Sequence, residues 1–301
     1  MSNKKQIVWS VLLVSFTLLV LGYGAHKTCL AEGNDVIVEK DIIYGKGGDV
    51  ELKLDLARPA KGRGRFPALI FMNGSWWGYY ATINRNQCSP QIREAAERGY
   101  VAVTVDHRKI SVREDDKTKY PFPAQVYDVK CAVRWLRANA KKYKINPKRI
   151  GSVGWSSGGH LALMLGLTDP SDGLEGECGN LEYSSRVQAV VCMAGITECI
   201  SLYDESSSRL PIEYLLGGTP DEVPEQYKRA SPLTYVSEDD PPVLTIQGDR
   251  DTSVPPKQAE LLDAKMKEVG VSHTLILKKD EGHKSFYYDD AVWDFFDSHL
   301  K

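Results

Sequence analysis

The sequence predicts an α/β protein whose mainly parallel central sheet carries helices on both faces. From Pro67 onward, short apolar strand-like runs alternate with helix-like runs, which is the pattern of repeated βαβ units. Before that point, the segments 36–44 and 50–56 alternate with period two around Gly47-Gly48 and predict an antiparallel hairpin at the sheet edge. With 301 residues, 42% of them hydrophobic, the chain can bury one large core, so a single domain is expected.

The predicted elements follow the hairpin in regular order. Apolar runs that are short and rich in β-branched residues are interpreted as buried strands, and the longer runs between them as helices. Strands are predicted at 68–71, 100–105, 149–153, 187–191, 242–246 and 274–277, and helices through 92–96, from 126 and from 161. The alternation predicts parallel pairing of these strands.

A serine lies in the turn between a predicted strand and a predicted helix. The stretch Gly154-Trp155-Ser156-Ser157-Gly158-Gly159-His160 leaves almost no residues for this turn. Gly154 and Gly158 have no Cβ atom, so strand and helix can approach closely and hold the serine in strained backbone geometry. The spacing G-x-S-x-G also arises by chance, but its strand–turn–helix context predicts that Ser156 is a nucleophile.

Two later strands end in residues that can activate this serine. A serine hydroxyl needs a base, and the base needs an orienting carboxylate. The loop after strand 242–246 offers Asp249 and Asp251, and the turn after strand 274–277 offers His283. Because the two acids are separated by one residue, the direction of their side chains does not choose between them.

From about Asp49 to the C-terminus, the chain resembles the carboxylesterase branch of the α/β-hydrolase superfamily. The similarity is greatest to the hormone-sensitive-lipase-like and the acetyl-xylan or feruloyl esterase-like members. The family's elbow G-x-S-x-G-G-H matches residues 154–160, its acid loop G-x-x-D-x-x-V-P matches 248–255, and its histidine turn is similar to Gly282-His283.

This resemblance implies an α/β-hydrolase fold and a catalytic triad, in the chain order Ser, Asp, His. The acid-loop match favours Asp251 over Asp249, so the implied triad is Ser156, Asp251 and His283. No metal or organic cofactor is implied, and no C-x-x-C or histidine cluster has the spacing of a metal site.

One motif departs from the family pattern. Related enzymes carry H-G-G-G-W after the third strand, and its second and third glycines donate backbone N–H groups to the oxyanion. Aligning the tryptophan with Trp77 puts Asn73 at the histidine, and Ser75 and Trp76 at the two donor glycines. An amide donor needs no particular side chain, so the amides of Ser75, Trp76 and Ser157 are the predicted oxyanion hole.

Four residues near these motifs have less specific interpretations. Trp77 and Tyr79 are candidates for stacking on a sugar or phenolic ring, with packing inside the fold as an equal alternative. His160 is expected to pack or hydrogen-bond within the fold, because the base must approach from a different loop. Gln247 stands where the family usually has histidine and is interpreted as structural variation.

The N-terminus resembles a secretory signal. Lys4-Lys5 precede the apolar run 7–21, and small residues before Glu32 offer cleavage sites, so residues 1–31 are the predicted signal peptide. Residues 32–301 then form the catalytic domain of a secreted or periplasmic protein. An uncleaved membrane anchor is the alternative, although the run is shorter than the roughly 20 residues that a span prefers.

The net charge bears on the kind of partner that the protein can bind, and the cysteines bear on its possible disulfides. The net charge of −2 and the scattered basic residues give no reason to expect binding to nucleic acid. Among the six cysteines, Cys131 and Cys192 are expected to be buried hydrophobic residues. If a disulfide forms, the expected pair is Cys178 with Cys199.

These observations predict a serine hydrolase that cleaves a small-molecule or carbohydrate-linked carboxylic ester through an acyl-enzyme. The segment 197–232 is irregular and acidic, and it is expected to form a small cap that shapes substrate access. Two alternatives stay open. A peptidase or amidase of the same superfamily would use the same triad, and the altered loop at 73–75 allows a non-catalytic binding protein on this fold.

Overall fold

A computed structural model describes residues 28–29, 35–79, 84–111 and 118–301. The predicted signal peptide, residues 1–31, lies outside the described residues except for Thr28 and Cys29. No helix within the described ranges combines the length and the apolar character that crossing a membrane requires.

Nine strands form one sheet in the described part of the chain. They are β1 (Thr28–Cys29), β2 (Val36–Gly47), β3 (Val50–Pro59), β4 (Phe66–Met72), β5 (Val101–Val105), β6 (Ile145–Trp155), β7 (Ala189–Met193), β8 (Val243–Gly248) and β9 (His273–Lys278). Their order in the sheet is β1-β2-β3-β5-β4-β6-β7-β8-β9. All pairs from β5 to β9 are parallel, whereas β1, β2 and β3 add antiparallel pairs at one edge, as the period-two segments predict.

Helices cover both faces of this sheet. They are α1 (Ser89–Glu97), α2 (Ala124–Ala138), α3 (Ala140–Tyr143), α4 (Ser157–Leu167), α5 (Cys199–Glu205), α6 (Leu210–Leu216), α7 (Pro224–Ala230), α8 (Lys257–Val269) and α9 (Asp290–Leu300). Side chains of α1 and α9 pack in one buried cluster, and those of α2, α4 and α8 in the other. Every residue of α4 is buried, which explains its apolar sequence. The α/β-hydrolase fold class is confirmed.

The segment between β7 and β8 is more regular than its sequence suggests. Three helices, α5, α6 and α7, and a short 3-10 turn at Pro232–Tyr235 occupy the region predicted to be irregular. Each of the three helices has only seven residues, which is too short to show a clear helical period. Proline in the first turn of α6 and α7 fits a helix start, because its missing N–H has no partner there in any helix.

The disulfide differs from the expected pair. Cys131 on α2 is bonded to Cys178, with the Cα atoms 5.5 Å apart, whereas Cys199 is a buried free thiol. Two buried cations of α2 draw the loop of Cys178 onto the helix. Lys130 Nζ lies 2.7 Å and Arg134 Nη1 2.8 Å from the carboxylate oxygens of Glu175. Cys131 is buried, as expected, but it is half of a disulfide and not an unpaired core residue, because these ion pairs hold the loop of Cys178 beside it.

Removing this disulfide should lower the free energy of unfolding by about 4 kcal/mol, the chain-entropy value for a closed loop of this length. The two cysteines are 47 residues apart in sequence. Urea unfolding of the Cys131→Ala/Cys178→Ala variant, with and without reductant, measures the effect. Reductant should destabilise the wild type and leave the double variant unchanged, while Cys199→Ala should keep the wild-type response. A wild type that is insensitive to reductant would contradict the prediction.

Candidate active site

Ser156 occupies a strained turn between β6 and α4. Its φ of 58° and ψ of −125° lie in a region that residues with a Cβ atom rarely adopt. Two glycines make the turn possible, because a Cβ on Gly154 would lie 2.1 Å from Gly158 O, and one on Gly158 would lie 2.3 Å from Met72 O. The residue is buried, and its hydroxyl stands at the carboxyl edge of the parallel strands.

His283 joins this serine to a buried carboxylate. The distance from His283 Nε2 to Ser156 Oγ is 3.0 Å, and that from His283 Nδ1 to Asp251 Oδ2 is 2.7 Å. The second oxygen of Asp251 accepts hydrogen bonds from the amides of Ser253 and Val254, each at 2.9 Å. The structure therefore brings together the three residues that the sequence assigns to a triad, in the order that proton transfer requires.

The structure distinguishes the two candidate acids by their burial and by which of them faces His283. Asp251 is buried and faces the imidazole, whereas Asp249 is exposed and its amide donates to Lys278 O. Gln247 holds Asp251 from the other side, since its Nε2 lies 3.2 Å from Asp251 Oδ2 and 3.0 Å from Val254 O. This residue fixes the carboxylate and is more than the structural variation that the sequence suggests.

Trp155 contacts the imidazole of His283, a contact that no sequence motif predicts. Its ring centroid lies 5.0 Å from that of His283, with the planes tilted by 34°. The residue directly before the nucleophile therefore limits the positions that the imidazole ring can take. The motif G-x-S-x-G allows any residue before the serine, so it does not predict that an aromatic side chain at this position contacts the catalytic base.

The loop after β4, residues 73–79, packs against the start of α4 and is called the β4 loop. A Cβ on Gly74 would lie 2.7 Å from Ser156 Cβ, so the loop touches the nucleophile. Trp76 and Trp77 have φ values of 50° and 53°. Such values cost about 1 to 3 kcal/mol for residues other than glycine and persist where the surroundings impose them.

The three predicted oxyanion donors lie close together but differ in their hydrogen bonding. The Ser75 amide donates to Ser157 Oγ over 2.9 Å, a contact that the sequence did not reveal. The Ser157 amide is the first of α4, where amides have no partner within the helix. The Trp76 amide lies between Ser75 and Trp77 in the β4 loop, and in the described part of the chain it donates to no acceptor.

His160 connects the β4 loop to the segment between β7 and β8. Its Nδ1 accepts a hydrogen bond from Trp77 Nε1 over 3.1 Å, and its Nε2 donates to Ala230 O over 2.7 Å. Burial lowers the pKa of His160 from 6.5 to about 4, so the imidazole is neutral at physiological pH. This hydrogen-bonding role inside the fold is the one that the sequence predicts for it.

The two aromatic candidates for substrate binding differ in exposure. Trp77 is only 1% exposed and packs edge-on against His160, so the structure favours the packing alternative over stacking on a substrate. Tyr79 is half-buried and stacks on Tyr214 of α6, with ring centroids 5.9 Å apart. It lines a cavity of about 440 Å³ whose other lining residues are 206–211.

The cavity is attached to the acid loop. Ser206 Oγ, on its wall, donates to the carbonyl oxygen of Ser253, whose amide binds Asp251. The lining therefore includes Tyr79 of the β4 loop and Ser206, which is hydrogen-bonded to the loop that carries the carboxylate. The polar wall also includes Arg209, whose Nε donates to Tyr203 O.

Known proteins with similar sequences include esterases. LipQ, an esterase of Mycobacterium tuberculosis, is 29% identical over 87% of this chain and 59% of its own length. LipM of the same organism, a probable carboxylic ester hydrolase, is 32% identical over 75% of this chain and 51% of its own length. The chain thus spans about half the length of the curated relatives it matches.

The match to solved structures with this fold extends over nearly the whole length of those chains. A truncated carbohydrate esterase from gut microbiota is 28% identical, with a TM-score of 0.73 over 89% of this chain and 98% of that one. The thermophilic esterase Est2 of Thermogutta terrifontis is 25% identical, with a TM-score of 0.68 over 86% of this chain and 91% of that one. Residues 54–266 match the family described as BD-FAE. The chain belongs to this family, within the carboxylesterase branch of the α/β-hydrolase superfamily.

Proposed function

We propose that this protein hydrolyses carboxylic esters through an acyl-enzyme formed on Ser156. The observation that carries the proposal is the continuous contact from Ser156 Oγ through His283 to Asp251, at 3.0 Å and 2.7 Å, on a strained strand-to-helix turn. Burying a carboxylate costs free energy, even when two amides and a glutamine bind it as they bind Asp251. A binding protein has no need of this arrangement, because it needs no activated serine.

The geometry supports a two-step reaction. Ser156 Oγ attacks the ester carbonyl carbon while His283 Nε2 takes the hydroxyl proton. Asp251 keeps the Nδ1–H tautomer and stabilises the imidazolium. When the tetrahedral intermediate collapses, His283 gives that proton to the leaving alcohol. Water then attacks the acyl-enzyme with His283 again as base, and the carboxylic acid and free Ser156 are released.

Backbone amides donate hydrogen bonds that stabilise the negatively charged oxygen of the tetrahedral intermediate. The Ser157 amide at the start of α4 and the Trp76 amide of the β4 loop are the donors that the hydrogen bonding supports best. The third predicted donor, the Ser75 amide, is engaged by Ser157 Oγ. The first turn of α4 adds the favourable end of the helix dipole.

For the substrate, we propose an ester of a carbohydrate or of an aryl alcohol. The cavity beside the β4 loop is lined by one aromatic ring, three serines, an arginine, a leucine and a proline, and its polar members suit a hydroxyl-bearing group. The gut carbohydrate esterase adds support by similarity. A panel of acetyl, butyryl and feruloyl esters, with matched amides, tests the proposal, because preference for the amides would favour the peptidase or amidase alternative.

Secretion or export to the periplasm is also part of this proposal. The charged start followed by an apolar run supports it, and so does the disulfide between Cys131 and Cys178, since such bonds persist in oxidising compartments. If the N-terminal segment stays uncleaved, the same enzyme would be held at the membrane.

Ser156→Ala should lower turnover by about 10⁶-fold, because the other triad members cannot act without the nucleophile. Turnover of a soluble aryl acetate at neutral pH measures the loss, and an active-site phosphonate should label the wild type and not the variant. Asp249→Asn, at an exposed carboxylate on the neighbouring loop, serves as the control. If the phosphonate labelled the folded Ser156→Ala variant, the nucleophile would have to be a different residue.

Asp251→Asn should preserve the fold and reduce turnover by up to about 10⁴-fold, because an amide at this position favours the wrong imidazole tautomer. Asp249→Asn should cost less than about tenfold, as for other surface carboxylates. Both are assayed with the aryl acetate, with circular dichroism to check folding. The opposite ranking would make Asp249 the acid.

Expression of the full chain in a bacterium should yield periplasmic or extracellular protein that begins between Ala25 and Glu32. Mass spectrometry of the purified protein gives the first residue. A chain that starts at Glu32 after the initiator methionine is the control and should stay in the cytoplasm. Full-length protein in the membrane fraction would instead support an anchor.

A further inference from the structure

We propose that Ser157 and His160 are positioning residues that hold the Trp76 amide in place for the oxyanion. This inference rests on the proposed esterase function. The β4 loop has serine and tryptophan where related enzymes have two donor glycines, so its backbone needs support from elsewhere. That support comes from two side chains of α4, the helix that begins directly after the nucleophile.

The first anchor is the hydroxyl of Ser157. Ser157 Oγ accepts the Ser75 amide over 2.9 Å, and both residues are buried, so water does not compete for this bond. The nucleophile precedes Ser157 directly, and a Cβ on Gly74 would touch Ser156. The bond therefore ties the β4 loop to the backbone of the serine turn itself, at the point where charge develops in the reaction.

The second anchor is the imidazole of His160. It accepts Trp77 Nε1–H over 3.1 Å and is itself fixed by donating to Ala230 O. Ser157 and His160 are three residues apart, so both project from the same face of α4. Trp76 lies between the two anchored residues, and its positive φ and that of Trp77 are the conformation that this two-point attachment maintains.

A competing explanation makes the opposite prediction. If the Ser75 amide were itself an oxyanion donor, the Ser157 hydroxyl would occupy the site and only obstruct it. Removing the hydroxyl would then free a donor and raise turnover. Under our proposal, removing it releases the β4 loop and lowers turnover.

Ser157→Ala tests the first anchor. The oxyanion exists only in the transition state and the intermediates, so kcat should fall by about tenfold to a hundredfold while KM changes by less than about threefold. The matched control is Ser152→Ala. Ser152 is also fully buried, and its hydroxyl donates to Ala162 O of the same helix instead of binding the β4 loop. Its kcat should stay within about threefold of the wild type.

Trp77→Phe tests the second anchor and keeps the proposal testable if Ser157→Ala does not fold. Phenylalanine retains a buried ring and lacks the N–H that binds His160, so kcat should fall by about threefold to tenfold at unchanged KM. A trifluoromethyl ketone, which forms a tetrahedral oxyanion on the serine, should bind more weakly to both variants in proportion to their loss of kcat.

Three results would overturn the proposal: a folded Ser157→Ala protein at least as active as the wild type, a rise of KM at unchanged kcat, or an equal loss in Ser152→Ala. Failure of the proposed function gives a different result. Wild-type protein that neither hydrolyses the ester panel nor reacts with a phosphonate would reject the esterase assignment, and this inference with it.

Discussion

The contact between β6 and α4 at the serine turn is made backbone to backbone, because a Cβ atom on Gly154 would overlap the backbone of Gly158. This close approach fixes the direction in which Ser156 points, and it places the first amides of α4 beside the serine hydroxyl. It also brings the carbonyl of Met72, at the end of β4, within contact of the helix. The neighbouring strands then determine which loops can reach the serine.

Those loops all leave the same edge of the parallel sheet. The register that pairs Met72 with Gly154 puts the β4 loop next to the serine turn. On the other side, β8 and β9 are neighbours, and the amide of Arg250 donates to Glu281 O over 2.8 Å, so the acid and histidine loops are joined. Residues far apart in sequence thus lie close together because β4, β6, β8 and β9 end at the same edge of the sheet. Short side chains are therefore long enough to contact one another.

The sequence was sufficient for the parts of the site that depend on local geometry. A strained turn needs glycines at fixed spacing, and an acid or a base after a strand needs a recognisable loop. The sequence alone therefore selects Ser156, Asp251 and His283, which lie within hydrogen-bonding distance of one another in the structure. Contacts between side chains of distant segments leave no such trace. The hydrogen bond from Ser75 to Ser157 and the disulfide at Cys131 depend on how loops pack against helices. The spacing of residues within a motif does not determine this packing.

The neutral imidazole of His160 makes the protein's stability depend on acidity. Its pKa is about 4 in the folded protein and 6.5 when solvated, so between these values the unfolded chain binds a proton that the folded one does not. The contribution of His160 to stability is therefore fully present above pH 6.5 and is lost as the pH drops towards 4, by about 3 kcal/mol. Protonation would turn the acceptor of Trp77 into a donor. Acidic surroundings therefore weaken the attachment of α4 to the β4 loop, whereas the hydrogen bond from His160 Nε2 to Ala230 O in α7 persists.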